Sequence, residues 1–164
     1  MSSGDTGEDT KTLFQRTNDL ADDFRAESKV GVEIASAIQR FNGAGDNAIG
    51  DQTKIIAYNK LLDPNSVVRE SEFNRVGAAG GFEAEAQSLY NRFAQEGRLP
   101  AFILANLDEE VAKLSEMAER DFLPIFEFFR GRAEAFGIDP ATVIRNPFQE
   151  SGGLFDDLVP GDGR

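Results

Sequence analysis

The sequence predicts an all-α protein of five to six helices, arranged as a bundle or as long helical hairpins, with flexible polar ends. Three observations predict it. Apolar residues recur at steps of three and four over long stretches, the spacing that lines up one face of a helix. The breaks between those stretches carry helix punctuation: Asp63-Pro64, Asp139-Pro140, and glycines at 43, 45, 77, 80, 81, 97 and 137. No stretch reads as a β-strand, and no internal repeat is present.

The first nine residues are small, polar and acidic, and read as a flexible lead-in. Asp9 or Thr10 can cap a first helix over residues 10–42, because a side-chain oxygen there satisfies an otherwise orphan N–H. Leu13, Leu20, Phe24, Ile34, Ile38 and Phe41 form its apolar stripe. Gly31 weakens that helix or splits it near Ser28. A second helix starts at Asp46 or Asp51 and runs to Leu62, with Ile49, Thr53 and Ile56 on one line and Ile55 and Leu62 on a neighbouring one. Asp63-Pro64 then supplies an N-cap and a first helical residue whose missing N–H would be orphaned anyway. The third helix is expected over residues 64–76, with Val67, Val68, Phe73 and Val76 facing inward, and the glycines of 77–81 stop it.

Phe82, Ala86, Leu89 and Phe93 fall at steps of 4, 3 and 4, and Gly97 stands where a C-cap glycine belongs. The fifth segment, residues 100–136, carries a stripe of Leu104, Leu107, Val111, Leu114, Ala118, Phe122, Ile125 and Phe129. Pro124 lies inside it and is expected to kink or break it. Gly137 ends it, and Asp139-Pro140 opens a last short helix to Ile144. The resulting division is a lead of 1–9, a helical domain of 10–145 and a Gly/Pro/Asp-rich C-terminal segment of 146–164. That last segment cannot fold alone, yet Phe148, Leu154, Phe155 and Leu158 are embedded in it.

Composition narrows the chemistry. With 164 residues, 40% hydrophobic and 28% charged, the chain can bury a proper core. Phenylalanine supplies 14 of its 16 aromatics, which belong to a core or an interface. The net charge of −12 disfavours electrostatic binding to a phosphate backbone. Neither Cys nor His occurs, so disulfides, thiolate nucleophiles, the usual general base and the commonest transition-metal ligand are missing. The polar N-terminus lacks the pattern of a signal peptide, and no apolar run approaches the roughly 18 residues of a membrane span. A product made in the cytoplasm of its host is expected.

Residues 45–54, GDNAIGDQTK, have the two glycines of a phosphate loop, but Asp51 stands where the phosphate-binding lysine is needed. They read as a turn and helix start. The acid pairs Glu8-Asp9, Asp22-Asp23, Glu109-Glu110 and Asp156-Asp157 read as solvated surface, since adjacent helical residues point about 100° apart. No calcium-loop spacing appears. No catalytic, cofactor-binding or metal-binding residues are assigned, and no cofactor is expected. Two stretches suggest protein contacts. Phe122, Ile125, Phe126, Phe128 and Phe129 crowd around Pro124, too many rings for one face of a lone helix. Either this helix is buried over most of its circumference, or part of the cluster meets a partner. Together with Phe148, the trio Leu154, Phe155 and Leu158 forms the second candidate: one apolar turn with acids opposite, a possible docking motif.

Residues 60–73, KLLDPNSVVRESEF, resemble a motif of structural proteins of tailed bacteriophages, in which a helix ends in Leu-Asp-Pro, followed by Ser-Val-Val-Arg-Glu and a Glu-Phe pair. The resemblance continues in register through a glycine linker at 77–81, through Leu89-Tyr90-Asn91-Arg92 and Gly97-Arg98-Leu99, and through Phe136-Gly137-Ile138-Asp139-Pro140 to Val143-Ile144. It covers residues 20–144. In such proteins the module occurs in internal DNA-ejection and tail-associated proteins, some with separate lytic domains for which this chain has no room. Pro124 departs from the pattern, in a helix expected to be continuous in relatives. The resemblance implies a non-enzymatic virion structural protein in the portal, head-to-tail or tail region, or one carried inside the particle for ejection with DNA. Its partners would be other virion proteins and further copies of itself. The alternative is a soluble adaptor or assembly chaperone of phage morphogenesis.

Overall fold

The chain folds as its punctuation dictates in most places and departs from it in several; the first helix, for one, opens at Asp5 rather than after Asp9 or Thr10. The computed structural model describes residues 5–149, with side chains from residue 10 onward. Among these residues there are five α-helices and no strand: α1 (Asp5–Gly43), α2 (Ala48–Leu62), α3 (Phe73–Ala78), α4 (Ala84–Glu96) and α5 (Ala101–Ala135). Two 3₁₀ turns, Glu70–Glu72 and Pro140–Thr142, accompany them. The chain divides into two compact units. The first takes residues up to Gly31 and from Glu119 onward; the second is Val32–Ala118.

In the first unit, Leu20 and Phe24 of α1 pack with Phe122, Phe129 and Ala133 of α5, and with Ile138 and Ile144 beyond it. The Phe24 ring meets Phe129 edge-on at 5.4 Å and Phe122 at 6.4 Å, the arrangement aromatic quadrupoles favour. Gly31 neither splits nor ends α1. A Cβ there would stand 2.4 Å from Cδ2 of Phe122, so the missing side chain seats a ring. The α5 helix also continues through Pro124, so of the expected kink or break the break does not occur. Proline removes the N–H that would bond the Arg120 carbonyl. Arg120 and Pro124 are both exposed, so water can take that carbonyl while the buried stripe holds the helix together. The helix ends as predicted. Gly137 has φ of 69°, and Ile138 N–H donates to Ala133 O at 2.9 Å. Asp139 accepts from Ala141 N–H and Pro140 follows it, but the segment closes after one 3₁₀ turn rather than a short helix to Ile144.

The second unit is built around Phe73. Its ring lies 5.1 Å from Tyr90, 5.7 Å from Phe93 and 5.8 Å from Phe82, with Phe41, Ile55, Leu107 and Val111 in the same buried cluster. Gly77 lies under Tyr90, where a Cβ would approach the ring to 2.4 Å. The α4 helix ends on Gly97 in the left-handed region, as predicted. The cap of α2 is Asn47, whose Oδ1 accepts from Gly50 N–H at 2.8 Å, not Asp46 or Asp51. Its buried face runs through Asp51, Ile55, Tyr58 and Asn59, leaving Ile49 73% exposed.

The predicted helix over 64–76 is mostly absent. Asp63 Oδ1 accepts from Asn65 N–H at 3.1 Å and Asp63 O accepts from Ser66 N–H at 2.9 Å, which closes a single turn. Asn59 Nδ2 then donates to Ser66 Oγ at 2.9 Å and Lys60 Nζ to Ser66 O at 2.8 Å. These bonds tie Ser66 to α2 and draw the chain off a helical path. Residues 66–69 have no regular structure, and Val67, expected inside, is 83% exposed. Helix resumes only at Phe73.

Candidate interaction surfaces

The crowded aromatic stretch of α5 is divided by the helix period. Phe122 and Phe129 point into the first unit's core, each 3% exposed, and Phe148 joins them with its ring 5.5 Å from Phe122. The Phe148 backbone is held by its N–H bond to Oδ1 of buried Asn146 at 3.1 Å. So the first residues of the segment that composition separates from the helical domain are packed upon it. Ile125 and Phe126 are half-buried at the margin. Phe128 is 60% exposed, with Arg132 placed 5.8 Å over its ring and a further 5.7 Å from that of Phe136. Beside it lies a groove of about 530 Å³ whose walls include Asp23, Glu27, Pro124, Ile125 and Phe128. Leu154, Phe155 and Leu158 lie outside the described residues.

The second unit carries a larger cleft of about 860 Å³. Its walls are α1, α2 and the irregular segment that opens the Asp-Pro landmark. Ala37, Ile56, Ala57, Val67 and Val68 give it apolar surface, and Arg40, Lys60, Arg69, Glu33 and Glu70 its charge. Lys60 is neutralised by Glu33 at 3.2 Å.

Three buried or half-buried polar side chains tie the second unit together, and one of them, Asn59, holds a wall of this cleft through Ser66. Asn59 donates to Ser66 and accepts from Glu83 N–H at 2.8 Å, joining the landmark segment to the entry of α4. Gln87 donates to Gly77 O at 2.8 Å and accepts from Phe82 N–H at 3.3 Å. Asp51, 1% exposed, accepts from Arg98 Nε at 2.7 Å and from Leu99 N–H at 2.9 Å. Arg98 also reaches Asp46 at 2.7 Å, and these carboxylates, Asp51 foremost, hold its guanidinium further toward the charged form. The residue that spoils the phosphate-loop pattern is thus a structural anchor. The second glycine of that pattern is explained too, because a Cβ on Gly50 would collide with the Gly45 carbonyl, while a Cβ on Gly45 itself would crowd Asn47 Nδ2 at 3.0 Å.

Of the acid pairs, Asp22 bonds Arg25 at 2.8 Å and Asp23 approaches Arg132 at 3.9 Å, both exposed. The pKa of the Tyr58 phenol is pushed up first by burial and then by the nearby Glu110 carboxylate. Among the described residues no group of three acids could hold a metal ion, and no helix is long and apolar enough to cross a membrane. Comparison with known proteins found no matching family model, no matching curated protein and no matching solved structure.

Proposed function

We propose that this chain is a virion structural protein of a tailed bacteriophage, acting without catalysis through contacts with neighbouring proteins in the portal, head-to-tail or tail region, or carried inside the particle. The observation that carries the reading is the run of landmarks in register from Lys60 to Ile144. Two features of the fold support it. The landmark 60–73 leaves Val67 and Arg69 on the surface rather than burying the whole segment, as a contact element would. The first unit displays Leu123, Phe128 and Phe136 outside its core, and clustered aromatics are what interfaces draw on. An acidic surface also suits a part that lets DNA pass without holding it.

Mass spectrometry of gradient-purified particles tests the proposal. The chain is expected among the structural proteins at a defined copy number. Its presence in infected cells and absence from finished particles would overturn the structural reading in favour of an assembly chaperone, a role for which the apolar–acidic run at 154–158 would serve as a detachable docking motif.

A further inference from the structure

The cleft of the second unit carries a small excess of base in a chain that is strongly acidic. The chain carries −12 overall, yet the cleft is lined by three bases, Arg40, Lys60 and Arg69, against two acids, Glu33 and Glu70. Glu33 is occupied by Lys60. Arg40 and Arg69 are both exposed, and neither side chain forms an ion pair with another described residue. Between them lie Val67 and Val68, in irregular backbone whose N–H and C=O groups bond to no other described residue. Apolar wall, unpaired main chain and two unpaired arginines together describe a receptor for a short peptide with apolar and acidic side chains. A volume of about 860 Å³ suits such an occupant.

Outside the described residues, one segment has that chemistry. Residues 154–158 read Leu-Phe-Asp-Asp-Leu, two adjacent acids flanked by three apolar side chains. We infer that the cleft binds residues 154–158 of a second copy of the chain. Val67, Val68 and Ile56 take the apolar side chains, Arg40 and Arg69 take Asp156 and Asp157, and the main chains of Val67 and Val68 pair with that of the incoming segment. Each copy offers one cleft and one segment, so the contact joins unlike surfaces. It closes as a reciprocal exchange between two copies or propagates head to tail. The inference concerns two copies in solution and does not depend on the virion assignment.

Light scattering on the full-length chain over a range of concentrations tests it, alongside binding of a fluorescein-labelled peptide of residues 150–164. The expected result is an apparent mass that rises with concentration, and saturable peptide binding. Val67→Asp adds an acid to a residue that is already exposed, so its fold is retained by circular dichroism, and peptide affinity falls about tenfold or more. R40E/R69E alone and D156R/D157R alone each remain monomeric, while their mixture assembles again. A wild-type chain that is monomeric at all concentrations and leaves the peptide unbound would overturn the inference. So would self-association unchanged in R40E/R69E, or a cross-link from residue 155 to the cleft found only within one chain. None of these outcomes bears on whether the protein is found in purified particles.

Discussion

The two units reach stability by different means. The first is an apolar seam: Leu20 and Phe24 against Phe122, Phe129 and Ala133, closed by Ile138 and Ile144, with Ser28 and Asn146 as its buried polar residues. The second wraps a comparable seam around polar tethers that join one element to another, some across a few residues and some across more than forty. Asp51 reaches Arg98 and Leu99, Asn59 reaches Ser66 and Glu83, and Gln87 reaches Gly77 and Phe82. A seam needs only the right side chains at the right period. A tethered corner needs particular partners that local sequence does not announce, and in return it holds an irregular segment such as 63–69 in one place.

That contrast can be broken most forcefully at the two aromatic centres. Phe73→Ala in the second unit and Phe129→Ala in the first should each remove about 3–5 kcal/mol. Hydrogen exchange read by mass spectrometry should localise each loss to the mutated unit. A loss spread evenly over all five helices in both variants would show that the units melt as one. Asp51→Ala should come next, at about 2–3 kcal/mol, because it leaves the Leu99 N–H unsatisfied and Arg98 without its main partner. Denaturant melts of this variant should show the loss in the second unit, whereas a change below about 0.5 kcal/mol would mean that the tether is dispensable.

Pro124→Ala sharpens the comparison in the opposite direction. It restores an N–H to a continuous, exposed turn of α5 and should stabilise the first unit by about 1–3 kcal/mol, visible as a raised melting temperature. A lowered melting temperature would show that the proline ring packs better than its exposure suggests. The smallest effect is one of pH. Burial and Glu110 raise the Tyr58 pKa, so the folded protein holds that proton more tightly than the unfolded chain does. Stability from this phenol is therefore intact below about pH 10, the ordinary tyrosine value, and declines as pH rises beyond it. Absorbance of tyrosinate should show one phenol ionising only as helix content is lost, and Tyr58→Phe should remove that coupling.

Much of the fold is legible in the sequence for the reason that separates the two units. The stripe from Leu107 through Val111 and Phe122 to Phe129 is buried as the three- and four-residue steps imply. Gly97 and Gly137 end their helices in the left-handed conformation that only glycine adopts cheaply. The readings that fail are those in which a local signal competes with a distant bond. Asp63-Pro64 carries the signature of a helix start, but Ser66 is held by Asn59 and Lys60, so Val67 faces outward. Gly31 and Pro124 carry the signature of helix breaks, but Phe122 over the first and the buried stripe around the second outweigh them. The cleft was hidden for the same reason. Arg40 and Arg69 are ordinary surface bases in sequence, and only the path of residues 63–71 brings them to one opening. The aromatic cluster was half legible: its crowding was evident, while its split into buried Phe122 and Phe129 and exposed Phe128 needed the phase of the helix.

The glycines beneath Phe122 and Tyr90 also constrain how this chain can drift. A buried leucine has alternatives one methyl group away, so its position can wander through related side chains without losing its role. Gly31 and Gly77 have no such neighbourhood, because every other residue adds at least the carbon that the ring already excludes. Each is a lock whose key cannot be filed smaller. Lineages that keep these rings must keep these glycines, and one that loses a glycine must move its ring in the same step.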